Sequence, residues 1–312
     1  KDGHKMSKSF GNVVFQTDIS EKYGIDTARL FLMFVASPDK QMEWSDSGVE
    51  GSYRIIGRMI ALKDKLKKGH DEIDESKINL TIKRVTEGIE TFQYPKAIIA
   101  LIDSIEYFSR GISKEHYSAL LKMFSVFCPH ISEELWHEIG NKSFISIESW
   151  PQCDEKKISE ESEELFKILS SVKEDIRRII ELAKAKDSKA SAKSVKLVLA
   201  DKWKYNALEK IRKSLEKTRN MGEIMKALLS EKELSPKAKE VSILSARILK
   251  NPQLMVQGKI TQEKERLFLE REKAGIENEL GFPVIIETAE KSSEQKKEQS
   301  IPGKPAIIVN MQ

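Results

Sequence analysis

Cysteine is nearly absent from these 312 residues: Cys128 and Cys153 stand alone, far apart and without Cys-x-x-Cys spacing. That argues against a disulfide-stapled fold and a cysteine-built zinc centre, and it suits a reducing compartment, the cytoplasm. No run of about eighteen apolar residues occurs, so neither a membrane-crossing helix nor a secretory leader is expected. An excess of one charge sign is also missing. With 53 lysines and arginines against 49 aspartates and glutamates, the net charge is only +4. A nucleic-acid surface must then be a local patch, not a property of the whole chain. Carboxylates do not gather at cation-binding spacing, and no metal ligand is assigned.

What is present starts at the front. Lys5-Met6-Ser7-Lys8-Ser9 is followed by Phe10-Gly11-Asn12. Two ammonium groups, two hydroxyls and several backbone N–H groups can all address one polyphosphate. Gly11 allows the backbone to turn, and Asn12 tolerates the same left-handed region.

The chain length suggests two or three domains. Hydrophobic content of 39% allows cores, while 33% charged residues leave a polar surface. Thr17 or Asp18 is expected to cap a helix that Gly24 ends, and Asp26 to cap a second one stopped by Ser37-Pro38. Asp26 and Arg29 stand at i, i+3 and can pair. Ser45 or Asp46 should open a helix with Val49, Tyr53, Ile56, Ile60 and Leu66 on one side. Lys67 to Ser76 reads as a polar linker. Ile98, Leu101, Ile102, Ile105 and Phe108 keep a 3.6-residue period behind Pro95. Further stripes are Leu120, Leu121, Phe124 and Phe127, then Ile131, Leu135, Trp136 and Ile139, with Trp136 as packing. Residues 144–150 read as strand-like.

Residues 163–184 read as a helix and 188–194 as a small, polar linker. Residues 195–200 then read as a strand. The next helix carries Lys202, Lys204, Lys210, Arg212, Lys213, Lys217 and Arg219 against an apolar side of Trp203, Ala207, Leu208, Ile211 and Leu215. Helices at 236–250 and 261–280 and strands at 282–287 and 306–309 follow, with the charged stretch 288–299 expected to lack structure. The fold class is therefore mainly α, closing in a small α+β domain.

Lys5 to Ser9 spells KMSKS, and with Gly11-Asn12-Val13-Val14 behind it resembles the second signature of class I aminoacyl-tRNA synthetases. Residues 21–54, notably Glu43-Trp44-Ser45-Asp46 and Gly48-Val49-Glu50-Gly51, resemble the leucyl enzymes most. Pro129-His130-Ile131-Ser132-Glu133-Glu134-Leu135-Trp136 resembles a helix of their anticodon-binding bundle. The likeness is specific over 1–150 and weaker beyond. It implies a KMSKS loop at 1–15, a stem-contact segment at 16–45 and a helical bundle at 46–150. A helical extension and linker at 151–192 and a tRNA-binding α+β domain at 193–312 complete the implied plan.

The resemblance also implies chemistry. ATP and leucine give leucyl-adenylate and pyrophosphate, and the leucyl group then passes to leucine tRNA. Lys5 and Lys8 are the implied catalytic cations. Lys5, Met6, Ser7, Lys8 and Ser9 form the implied ATP-binding loop, with Mg²⁺ sharing the phosphate oxygens. Arg29, Lys202, Lys204, Arg212, Lys213 and Arg219 are candidates for tRNA contact. The first class I signature, HIGH, is missing, since Ser132-Glu133 follows His130-Ile131. The chain is therefore expected to be the later part of such an enzyme, or one product of a split enzyme. It should be inactive without its catalytic half. A standalone tRNA-binding module and the same region of a valyl or isoleucyl enzyme remain alternatives.

Overall fold

The structure is a computed structural model that describes residues 1, 4–187, 191–256 and 258–311. Among these the chain forms twelve α-helices and five short strands. They fall into two compact units, Lys1–Ser159 and Glu160–Gln312.

The first unit opens with the KMSKS loop, then α1 (Gln16–Tyr23) and α2 (Ile25–Val35). Neither helix is capped as its sequence suggests. α1 starts after Phe15 with no side-chain cap, and Gly24 precedes α2. Ile19, Ala28 and Phe31 from this pair pack on Val49, with Trp44 edge-on to Phe31 at 5.0 Å.

Ser45 does cap α3 (Asp46–Ala61), through Gly48 N–H. The buried stripe of α3 is Val49, Ser52, Ile55, Ile56 and Met59, one step around from the expected face. Tyr53 and Ile60 are exposed.

The expected linker 67–76 is structured. Leu66–Lys67 is a short strand, β1, and Asp71 caps α4 (Glu72–Glu90), a helix the hydrophobic pattern hides. α5 (Tyr94–Tyr107) follows. A Cβ on Gly88 would lie 2.9 Å from the Ala97 backbone nitrogen, so only glycine permits this α4–α5 approach. β2 (Ile112–Ser113) pairs in parallel with β1. α6 (Lys114–Phe124) and α7 (Pro129–Glu138) close the bundle.

Leu120, Leu121, Phe124, Phe127, Leu135 and Trp136 are buried as their period predicts. Each such side chain contributes about 1.5–3 kcal/mol by leaving water. The strand-like reading of 144–150 is corrected: the segment holds a 3₁₀ turn, Ile145–Ile147.

The second unit opens with α8 (Glu160–Lys186). The 188–194 linker reading lies outside the described residues at 188–190, and Ala192 already belongs to β3 (Ala192–Leu199). β3 is central. β4 (Val284–Thr288) lies parallel on one side and β5 (Ala306–Met311) antiparallel on the other. Val195, Leu197, Val198 and Leu199 are fully buried, as a middle strand covered on both faces requires.

The crossover from β3 to β4 carries α9 (Lys202–Leu215), α10 (Met221–Leu229), α11 (Ala238–Lys250) and α12 (Gln262–Leu280). The stretch 288–299, expected to lack structure, is a packed connection. Ala289 and Ser292 are buried, and Glu294 accepts from Lys196 Nζ at 2.9 Å. Among the described residues no helix is long and apolar enough to cross a membrane.

Candidate functional site

The KMSKS loop holds its own shape. Ser7 N–H donates to Asn12 Oδ1 at 2.9 Å, and Asn12 Nδ2 returns a bond to Lys5 O at 3.2 Å. Ser7 Oγ lies 3.0 Å from Ser9 Oγ and accepts from Phe10 N–H. Lys8–Phe10 form one 3₁₀ turn, which Gly11 ends at φ +63°, a left-handed position that costs glycine nothing. Asn12 is not left-handed; its side chain ties the two ends of the loop together.

Lys5, Met6, Lys8 and Ser9 are exposed, and among the described residues neither lysine ammonium has a partner. The loop thus presents two free cations on a stapled backbone. Its ammonium and hydroxyl groups offer no carboxylate for a hard cation, so these residues do not make a magnesium site.

Arg29 is not available in the same way. Its guanidinium donates to Phe127 O at 3.4 Å and Val126 O at 3.3 Å, satisfying carbonyls just past the end of α6. The expected Asp26–Arg29 pair does not form. Asp26 instead takes Ile131 N–H at 2.8 Å and His130 Nδ1 at 2.8 Å. It caps α7 from a distance, where a carboxylate is favoured by the helix N-terminus. The His130-Ile131 dipeptide thereby holds α2 against α7.

The helix expected to carry cations from Lys202 to Arg219 ends at Leu215, so Lys217 and Arg219 lie beyond α9, and the tRNA candidates of this stretch separate into three kinds. Lys204 is buried, and its ammonium donates to Glu298 O at 3.0 Å and Ser300 O at 2.8 Å. Burial pulls its pKa down. It fastens the 295–300 turn to α9 and is corrected from a surface cation to an internal clamp. Arg212 donates to Gly258 O at 3.0 Å, and Lys213 pairs with Glu209 at 2.8 Å. The Lys213 hydrogen bond holds the Glu209 carboxyl below the usual range. Lys202 and Arg219 are exposed, with no side-chain partner among the described residues.

Lys202 and Arg212 line a cleft of about 530 Å³ with Lys259, Thr261 and Gln262. Lys259 escaped sequence reasoning because it stands alone in its segment; only the fold brings it to the other cations.

Two family models match this chain. Residues 71–197 match the anticodon-binding domain of tRNA ligase, and residues 1–45 match the class I tRNA synthetases for isoleucine, leucine, methionine and valine. A leucine–tRNA ligase of Archaeoglobus fulgidus is 32% identical over 99% of this chain and 33% of its own length. One of Pyrococcus furiosus is 30% identical over the same shares. One of Thermotoga maritima is 35% identical over 53% of this chain and 23% of its own length. The chain thus spans about a third of the archaeal relatives it matches.

A crystal structure of an Agrobacterium radiobacter K84 LeuRS in a ternary complex with tRNA and LeuAMS is 27% identical. It covers 51% of this chain and 23% of its own, with a TM-score of 0.46. The stapled Lys-Ser loop thus lies in the segment matched by the class I tRNA synthetase model, α4–α7 and α8 lie in the stretch matched by the anticodon-binding domain of tRNA ligase, and over nearly its whole length the chain is similar to the C-terminal third of archaeal leucine–tRNA ligases.

Proposed function

We propose that this chain supplies the KMSKS side of an ATP-dependent leucine–tRNA ligase and a cationic surface that carries leucine tRNA. The supporting observation is the loop: Lys5 and Lys8 are exposed, and without a partner among the described residues, on a backbone already fixed by Asn12. Adenylate formation is an in-line attack of the amino-acid carboxylate on the α-phosphate. It needs the triphosphate held in line and charge neutralised on the departing pyrophosphate. Lys8 is the more direct ligand of that charge, Lys5 the second, and Ser7 and Ser9 donate through their hydroxyls.

The tRNA is held by Lys202, Arg219 and Lys259 through its phosphates, with recognition of shape more than of sequence. The setting is the cytoplasm. The chain works with the catalytic half of the enzyme, which supplies the HIGH signature and the leucine pocket, and is inactive without it.

The test is leucine-dependent ATP–pyrophosphate exchange by the chain joined to that half. Exchange should vanish without the half and fall steeply in Lys8→Ala. A wild-type rate in Lys8→Ala would remove the assigned role. Steep, salt-dependent tRNA binding with no exchange under any pairing would leave a tRNA-binding module instead.

A further inference from the structure

The parallel pairing of β1 with β2 sets Leu66 opposite Ile112 and Lys67 opposite Ser113. It lays the turn after β1 beside the first turns of α4 and α6. Three side chains meet there: exposed His70, half-buried Glu75 and buried His116. His70 Nε2 lies 2.8 Å from Glu75 Oε2, and His116 Nε2 lies 3.0 Å from the same oxygen. The imidazole rings stand 4.2 Å apart, centroid to centroid. The three donor atoms all lie within 4.8 Å of one another.

The outer contacts suit ligation. Glu75 keeps its second oxygen occupied: Oε1 accepts from Lys157 Nζ at 2.7 Å and Asn79 Nδ2 at 3.3 Å. That leaves Oε2 for the two histidines. His70 Nδ1 points to Glu115 Oε2 at 3.6 Å, so a carboxylate stands behind the first imidazole. Such a partner orients a metal-bound histidine and raises its basicity. His116 Nδ1 is buried without a partner among the described residues. It lacks one in either tautomer, so ligation through Nε2 adds no further cost.

We propose that His70, Glu75 and His116 bind one divalent transition-metal ion of the zinc type, through Nε2, Oε2 and Nε2, with solvent completing a tetrahedron on the exposed His70 side. Two imidazoles and one carboxylate form a borderline donor set that favours zinc over magnesium or calcium. Metal–ligand bonds of about 2.0–2.2 Å set tetrahedral ligand atoms roughly 3.2–3.5 Å apart. The spacings of 2.8 and 3.0 Å need to open by roughly half an ångström, and the remaining donor pair, within 4.8 Å, to close by up to about 1.5 Å through rotation of the exposed His70 ring. The bound ion would clip the 66–71 turn to α4 and α6, and so stiffen the part of the bundle matched by the anticodon-binding model.

The experiment uses the whole chain, stripped with chelator and titrated with Zn²⁺ alone by calorimetry. A parallel Co²⁺ titration is followed by visible absorption. One ion per chain, a tetrahedral Co²⁺ spectrum without a thiolate band, and a Zn²⁺-dependent rise in melting temperature are expected. His70→Ala removes an exposed ligand and leaves the core intact; it should weaken binding by roughly a hundredfold or more. Glu75→Gln should do the same. No uptake at micromolar Zn²⁺ would overturn the proposal. So would uptake that His70→Ala leaves unchanged, since the ion would then sit elsewhere, at Cys153 for example.

Discussion

Two lysine-rich stretches of this chain look equally cationic in sequence and differ in what their charges are free to do. In residues 5–9 both ammonium groups are exposed and have no partner among the described residues, on a backbone that Asn12 and Ser7 hold in shape. In residues 202–219 most cations are already engaged. Lys204 is buried on two carbonyls, Lys210 is paired with Glu231, Lys213 with Glu209, and Arg212 holds Gly258. A count of lysines measures neither stretch. What matters is the register of each lysine against the core, and whether a neighbour has claimed its charge.

The largest effect expected from that contrast is on the free side. Lys8→Ala in the complete enzyme should lower the rate of leucine-dependent pyrophosphate exchange by about 10²–10³-fold, the usual loss when one preorganised donor to developing charge is removed. Melting temperature should not move, since the Lys8 ammonium has no partner to lose among the described residues. A drop of less than threefold would mean the loop lysines are as spectator-like as an ordinary surface pair.

The engaged side is broken by Lys204→Met. The substitution keeps the apolar stem and deletes the charge, leaving Glu298 O and Ser300 O without their donor. Charge-assisted bonds contribute about 1.5–3 kcal/mol each, so a loss of about 3 kcal/mol in chemical denaturation is expected. Unchanged stability with weakened tRNA binding would return Lys204 to the surface class.

Much of this plan is legible in the residues alone, and the misses have physical causes. α5, α6, α7 and α9 show clean apolar periods because their buried faces are apolar. α4 does not, because its buried face carries Asp74, Ser76, Lys77, Asn79 and Thr81. Tyr107 and Lys67 satisfy Asp74, at 3.0 Å each, together with Arg110, and Thr81 meets Ser104 at 3.0 Å. A polar face of this kind reads as a linker until its partners are known. The same blindness hid His70, Glu75 and His116, which share no motif and meet only through the β1–β2 pairing. At the KMSKS loop the opposite holds: the chemistry is local in sequence, so the residues could be named before the fold.

Glu265 extends the contrast to a buried carboxylate. Its Oε2 accepts from Tyr205 Oη at 2.8 Å and Gly303 N–H at 2.9 Å, while Oε1 has no partner among the described residues. Burial raises its pKa to about 7, against the pull of those two donors. In the unfolded chain the group deprotonates near the ordinary value of 4.5. Between these limits the native state holds the extra proton, so stability falls as pH rises from about 4.5 to 7 and levels off above. Glu265→Gln keeps the shape without the charge. A tenfold change in proton affinity between folded and unfolded chain corresponds to about 1.4 kcal/mol. The variant should therefore be about 3 to 3.5 kcal/mol more stable than wild type at pH 8 and near parity at pH 4.5. A pH-independent difference would show that the carboxyl is solvated.

The smallest expected effect is the most direct on the comparison. Lys202 and Lys204 are two residues apart, yet one is exposed and the other only 5% exposed. Lys202 lies at the start of α9, where its backbone N–H is already bound to Glu290 at 2.9 Å, so truncating its side chain leaves the helix start intact. Lys202→Ala should change stability by less than about 0.5 kcal/mol. It should weaken tRNA binding modestly and reduce the slope of log affinity against log salt by about 1, the signature of one lost phosphate contact. Lys213→Ala, whose charge Glu209 already holds, should change that slope less. Equal slopes for the two variants would mean that pairing within the helix does not withhold a lysine from RNA, and the division between free and engaged cations would fail at the surface where it is meant to matter.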